Sequence, residues 1–275
     1  MKKFLIVAFL IMPFLVLTSC ISDDNNTTTS GTSRTYQLNA VSNPDISGTA
    51  KFIQNEDGSI TVELSLAGTT AGNTHPAHIH VNTAVEGGGI ARTLEAVDGT
   101  TGTSTTTFTE LDNMTPVTYA EIVDFDGYIN VHLSAADLGT LVAQGDIGQN
   151  ELTGVSIVYT LDELNSSGIS GTAVFAQRVN EEALITLNLN GTTLGMDHMA
   201  HIHDGSVTAP GVVAITLTNV NGDSGISLTS VSQKDDNSPI SYTELLIFPG
   251  YINIHNSADP MIIDAQGNIG SSALN

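Results

Sequence analysis

The sequence predicts an all-β protein of two tandem antiparallel domains, each a β-sandwich or Greek-key barrel, behind an N-terminal targeting segment and a flexible tether. Three observations carry this. The chain repeats itself at an offset of 123 residues. Apolar and polar residues alternate at the strand period of two. Turn residues recur about every ten positions, and no segment after the N-terminus shows a helical stripe.

The repeat sets the domains. Ile46-Ser47-Gly48-Thr49-Ala50 returns as Ile169-Ser170-Gly171-Thr172-Ala173, Phe52 as Phe175, and Gly68-Thr69-Thr70 as Gly191-Thr192-Thr193. Gly127-Tyr128-Ile129-Asn130 returns as Gly250-Tyr251-Ile252-Asn253; one residue is then lost, and Ile147-Gly148 pairs with Ile269-Gly270. Units of roughly 120 residues are the usual size for one core each, so the division is 35–156 and 157–275. Within a unit, Ile60 to Leu66 alternates as a half-buried strand, and Asp57-Gly58 before it is a hairpin turn signal. Tyr128 to His132 and Val212 to Leu217 read as further strands, with short helical turns expected near Ala135–Val142 and Pro260–Ala265.

Residues 1–19 read as a signal peptide. Met1-Lys2-Lys3 is positive, and the apolar run Phe4 to Leu17 is too short to span a bilayer comfortably. Leu17-Thr18-Ser19-Cys20 resembles the lipobox of bacterial lipoproteins, which implies cleavage before Cys20, lipidation of that residue and a membrane partner through its acyl chains. Residues 20–34 hold almost nothing apolar and read as a tether. The expected location is the cell envelope, lipid-anchored on the outer membrane; Ser22-Asp23-Asp24 resembles the acidic export tags of surface lipoproteins, which leaves either leaflet open.

Charge excludes one class of partner. Without Lys2 and Lys3, five basic residues stand against 29 acidic ones, a net charge of −24. Such a chain would repel nucleic acid. Cys20 is the single cysteine, so no disulfide forms within one chain and stability must come from burial.

All eight histidines belong to the repeat. The first unit has His75, His78 and His80, then His132. The second has His198, His201 and His203, then His255, and in both units the last follows 52 residues on. Residues two apart on a strand share a face, so His78 and His80 project together. His132 can join them from a neighbouring strand, and His75, placed before Pro76, can fold back over that face as a fourth ligand. Converging imidazoles suit Zn²⁺ or Cu²⁺, one ion per domain. The alternative is a cluster of structural, hydrogen-bonded histidines.

Other candidates are weaker. Met196 and Met199 flank the second cluster as potential Cu(I) ligands, but their counterparts are Asn73 and Pro76, so gap-filling is the expected role. Asn130 and Asn253 share a face with the last histidine and are candidates to orient an imidazole. Glu121 and Glu244 recur, but one carboxylate per unit makes no acid–base pair. Gly87-Gly88-Gly89 has no following helix or lysine and reads as a turn, not a phosphate loop. No nucleophile-and-base constellation is evident.

Ala77-His78-Ile79-His80, Gly127-Tyr128-Ile129-Asn130-Val131-His132 and Gly145-Asp146-Ile147 resemble the CHRD (chordin-like) domain, and the second unit matches the first two motifs at Ala200 to His203 and Tyr251 to His255. Gly145-Asp146-Ile147-Gly148 and Gly267-Asn268-Ile269-Gly270 lack the arginine usual in that family's closing motif. The resemblance implies a β fold and an extracytoplasmic location, with no settled activity. The H-x-H strand and late histidine also resemble copper–zinc superoxide dismutase. Against that stand the missing disulfide cysteines, the lack of an aspartate shared by both clusters, and an acidic surface that would repel superoxide. The expected function is therefore non-enzymatic binding of zinc, copper or an extracellular protein partner. Adhesion with structural histidines, or a copper-dependent redox enzyme, are the alternatives.

Overall fold

A computed structural model describes residues 31–42 and 45–274. The signal segment, Cys20 and most of the tether lie outside the described residues.

The first eight strands are β1 (Ser33–Ala40), β2 (Ser47–Gln54), β3 (Ile60–Ala67), β4 (Thr74–Val81), β5 (Ile90–Asp98), β6 (Thr103–Phe108), β7 (Asp126–Ser134) and β8 (Asp137–Gly148). They close into an antiparallel barrel in the order β1-β2-β3-β6-β5-β4-β7-β8. The next eight are β9 (Leu152–Glu163), β10 (Ser170–Arg178), β11 (Ala183–Asn190), β12 (His198–Ser206), β13 (Ala209–Val220), β14 (Ile226–Val231), β15 (Pro249–His255) and β16 (Ile263–Gly270). Their order, β13-β12-β15-β16-β9-β10-β11-β14, is the same cycle opened between β13 and β14. The β crossovers confirm the barrel reading of the sequence. β1 begins inside the segment read as tether, and β9 begins ahead of the 156/157 division.

Strand alternation builds the cores. In β3 the apolar residues Ile60, Val62, Leu64 and Leu66 are all buried, and the residues between them point outward. Phe52, Leu64, Ile79, Ile129, Val131 and Ile147 fill the first barrel, and Phe175, Leu187, Ile202, Ile252, Ile254 and Ile269 the second. The two clusters are separate, so each unit has its own core.

The expected helical turns near 135–142 and 260–265 are not there: both stretches turn sharply and then enter β8 and β16. The α-helical turns lie instead at α1 (Tyr119–Ile122) and α2 (Tyr242–Leu245). Each begins with a capping box, Thr118 with Glu121 and Ser241 with Glu244, in which hydroxyl and carboxylate each accept a backbone N–H. This is what the recurring glutamates do. Thr118→Ala should lower stability by about 1 kcal/mol, measurable by urea denaturation.

The barrels join through one buried guanidinium. Arg178 is fully buried; it donates to Asp146 Oδ2 at 2.6 Å and to the Asn150 carbonyl. Backbone bonds from Val179 to Glu151 and from Asn180 to Gln149 run beside it. Arg34 and Glu151 form an exposed ion pair nearby. Gly31–Asn275 is accordingly one compact unit.

Candidate metal centre

β4 lies between β5 and β7, with His78 opposite Asn130 and Ile79 opposite Ile129. Ala77 and Ile79 point into the core, so His78 and His80 point outward, and His132 joins them from β7. β12 and β15 repeat this with His201, His203 and His255. One nitrogen from each ring lies within 4.8 Å of the others in both trios. Nitrogens 2.0–2.1 Å from a common ion stand at most about 4 Å apart, so only a small closure separates these trios from a coordination site.

Hydrogen bonding sets which nitrogens are available. A carbonyl oxygen can only accept, so each ring nitrogen facing one must carry the proton. His80 Nδ1 donates to the Gly88 carbonyl at 3.0 Å, and His132 Nδ1 donates to the Leu138 carbonyl at 2.7 Å. In the second barrel His203 Nδ1 donates to Gly211 and His255 Nδ1 to Pro260, at 3.3 and 2.7 Å. The Nε2 atoms of these four rings therefore carry the lone pairs that face into each trio. Those of His80 and His203 are buried with no partner. Within the trios His78 Nδ1 donates to His132 Nε2 at 3.1 Å, and His201 Nδ1 donates to His255 Nε2 at 3.0 Å. A proton moved from Nδ1 to Nε2 of His78 would turn that bond into a third ligand.

A tyrosine clamps each trio. Tyr128 stacks on His80 and Tyr251 on His203, with ring centroids 4.9 Å apart in both pairs. The Tyr128 hydroxyl accepts from the Gly88 N–H at 3.1 Å, so ring and loop hold each other. A Cβ on Gly88 would meet the Val81 carbonyl oxygen at 2.0 Å, and one on Gly211 the Asp204 oxygen at 2.5 Å. The loop carbonyl reaches the imidazole because no side chain intervenes. The turn Gly87-Gly88-Gly89 thus belongs to the site.

The structure does not bring His75 and His198 to these trios. Each lies an odd number of residues before the outward pair and so faces inward, almost fully buried. Their Nδ1 atoms donate to the carbonyls of His132 and His255 at 3.1 and 3.0 Å. They brace the strand carrying the last histidine. His198 also lies 3.3 Å from Asp264, a buried carboxylate in the second barrel alone. Asn130 likewise orients no imidazole: its Oδ1 accepts from Gln144 Nε2.

The sequence reading missed a shared aspartate. Asp112 and Asp235 stand 123 residues apart and occupy the same place. Asp112 accepts from the backbone and hydroxyl of Thr93, and Asp235 from those of Thr216. Burial is the main force on His78, His132 and His201, and it holds all three below the ordinary histidine value. Neighbouring imidazoles push the same way on each, while Asp112 and Asp235 oppose the shift at His78 and His201. These rings are therefore neutral, as metal ligands must be, at neutral pH.

Residues 27–141 match the family model for the CHRD domain, a span that includes His75, His78, His80 and His132. A search of curated proteins returns no match. The match covers most of the first barrel.

Proposed function

We propose that this chain is a lipid-anchored envelope protein of two tandem CHRD domains, non-enzymatic, each binding one zinc or copper ion through three histidines. The ligands are His78, His80 and His132 in the first barrel and His201, His203 and His255 in the second. The observation that carries this reading is the duplicated trio whose tautomers are fixed by backbone carbonyls, an outer shell of the kind that orients metal-ligating imidazoles. The second barrel is read as a CHRD domain because its strand order and histidine placement repeat those of the first. The anchor rests on the Leu17 to Cys20 motif.

Elemental analysis after dialysis against excess zinc or copper tests the binding. About two equivalents per chain are expected, and less than about a tenth of one would overturn the proposal. Affinity should fall on acidification. Because burial depresses three of the six ligands, its main decline should come below the ordinary histidine value of about 6.5. Isothermal titration across pH 5 to 8 checks this. Gly88→Ala should weaken binding in the first barrel by about 10–100-fold, as removal of an outer-shell partner does.

Three protein ligands leave a coordination position open, which favours a second reading as a copper-dependent redox enzyme. That reading needs a copper-dependent turnover that disappears in His80→Ala. An adhesion module with structural histidines would instead lose stability in His78→Ala with no change in metal content.

A further inference from the structure

The two trios differ at their rims. Of the chain's six methionines, two lie in the targeting segment, one is Met114, and the other three are Met196, Met199 and Met261. Met196 lies two residues before β12, Met199 is the second residue of that strand, and Met261 follows Pro260, whose carbonyl holds His255. All three are exposed, Met199 by 37% and Met261 by 87%, so they do not fill gaps in the core. Met199 is the one best placed. It follows buried His198 and precedes buried Ala200, so it points outward with His201 and His203. The register ends with Ala200 paired to Ile254, and continuing it by one residue places Met199 opposite His255 on the same outer face. Cross-strand neighbours of this kind have Cβ atoms about 4.5–5.5 Å apart, well within reach of a methionine thioether. The first barrel carries Pro76, Asn73 and Gly139 at the three matching places and has no thioether there.

We propose that the second trio is a copper(I) site in which Met199 sulfur joins the three imidazoles, whereas the first is an all-imidazole site. This rests on the three-histidine reading above. Soft thioether sulfur favours Cu(I) over harder divalent ions, so the difference between the barrels is one of metal and oxidation state. One chain would then hold two ions of different character.

The test is anaerobic competition for Cu(I) against a chromophoric chelator, using full-length chains with a single trio intact. With the first trio disabled by His80→Ala, Cu(I) should bind at least about tenfold more tightly than with the second disabled by His203→Ala. Adding Met199→Leu to the His80→Ala chain should abolish that difference and leave Zn(II) affinity unchanged. Pro76→Met in the His203→Ala chain should raise Cu(I) affinity. Unchanged Cu(I) binding in Met199→Leu, or an equal loss for Cu(I) and Zn(II), would overturn the proposal while leaving the three-histidine sites standing. Failure of either trio to bind Zn(II), Cu(II) or Cu(I) would remove the three-histidine reading itself.

Discussion

His80→Ala is expected to empty the first barrel of metal and spare the second, so that content falls from about two equivalents per chain to about one. His80 brings three features together: a proton fixed on Nδ1 by Gly88, a buried and unpartnered Nε2, and a ring stacked on Tyr128. Alanine leaves two imidazoles that can still bond to each other, as His78 and His132 already do. A two-nitrogen site should bind zinc at least about a hundredfold more weakly, beyond the range of outer-shell changes. His203→Ala should do the same to the second barrel. Titration with a zinc-sensitive dye reads both outcomes, and a doubly substituted chain should bind nothing specifically. If content fell in both barrels on changing one, the trios would not be the independent sites described above.

Asp146→Ala is expected to lower stability by about 3–5 kcal/mol, the usual cost of leaving a buried charge without its partner. The Arg178 guanidinium is fully buried, and Asp146 is the one carboxylate in a salt bridge with it among the described residues. Two of its nitrogens already lack partners, so little remains to hold the charge once Asp146 is gone. Asp146 Oδ1 also accepts from the Ala84 N–H at 2.8 Å, tying the loop that carries Gly88 to β8. The same substitution should therefore weaken metal binding in the first barrel. In the second barrel Asn268 takes this place and accepts from Val207, with no arginine beside it. Asn268→Ala should consequently cost much less. Urea denaturation of both variants, with a zinc titration of each, checks the contrast.

The metal-free protein should also lose stability in acid. His78, His132 and His201 have depressed values in the folded state, so the unfolded chain takes up protons first as pH falls. Their contribution is whole above the ordinary value of about 6.5 and declines below it. Partial exposure of His78 and His201 keeps their share modest.

Most of the fold was legible because its signals are periodic. Alternation in Ile60 to Leu66 and the repeat itself carry the strands, and the H-x-H spacing puts two ligands on one face whatever the surroundings. The failures have physical causes. His75 was assigned to the trio although its place in the strand alternation turns it inward, and Pro76 drew attention to a fold-back that the regular strand does not make. The partners that fix the imidazoles are backbone carbonyls of Gly88, Leu138, Gly211 and Pro260, which leave no residue signature. The capping boxes were present in the sequence as Thr118 with Glu121 and Ser241 with Glu244, but four-residue helices have no stripe to announce them. Asp112 and Asp235 recur at the repeat offset far from either cluster in sequence, so the repeat alone gave no reason to place them beside His78 and His201. Arg178 has Asn55 as its counterpart, and nothing local marks it as the joint between barrels.

X-ray absorption of the zinc-loaded chain tests the central claim most directly. Three imidazole nitrogens per zinc at about 2.0 Å, with the outer-ring scattering of histidine, are expected in each single-trio protein. A first shell of oxygen without that imidazole pattern would contradict the account, because the ion would then be held elsewhere.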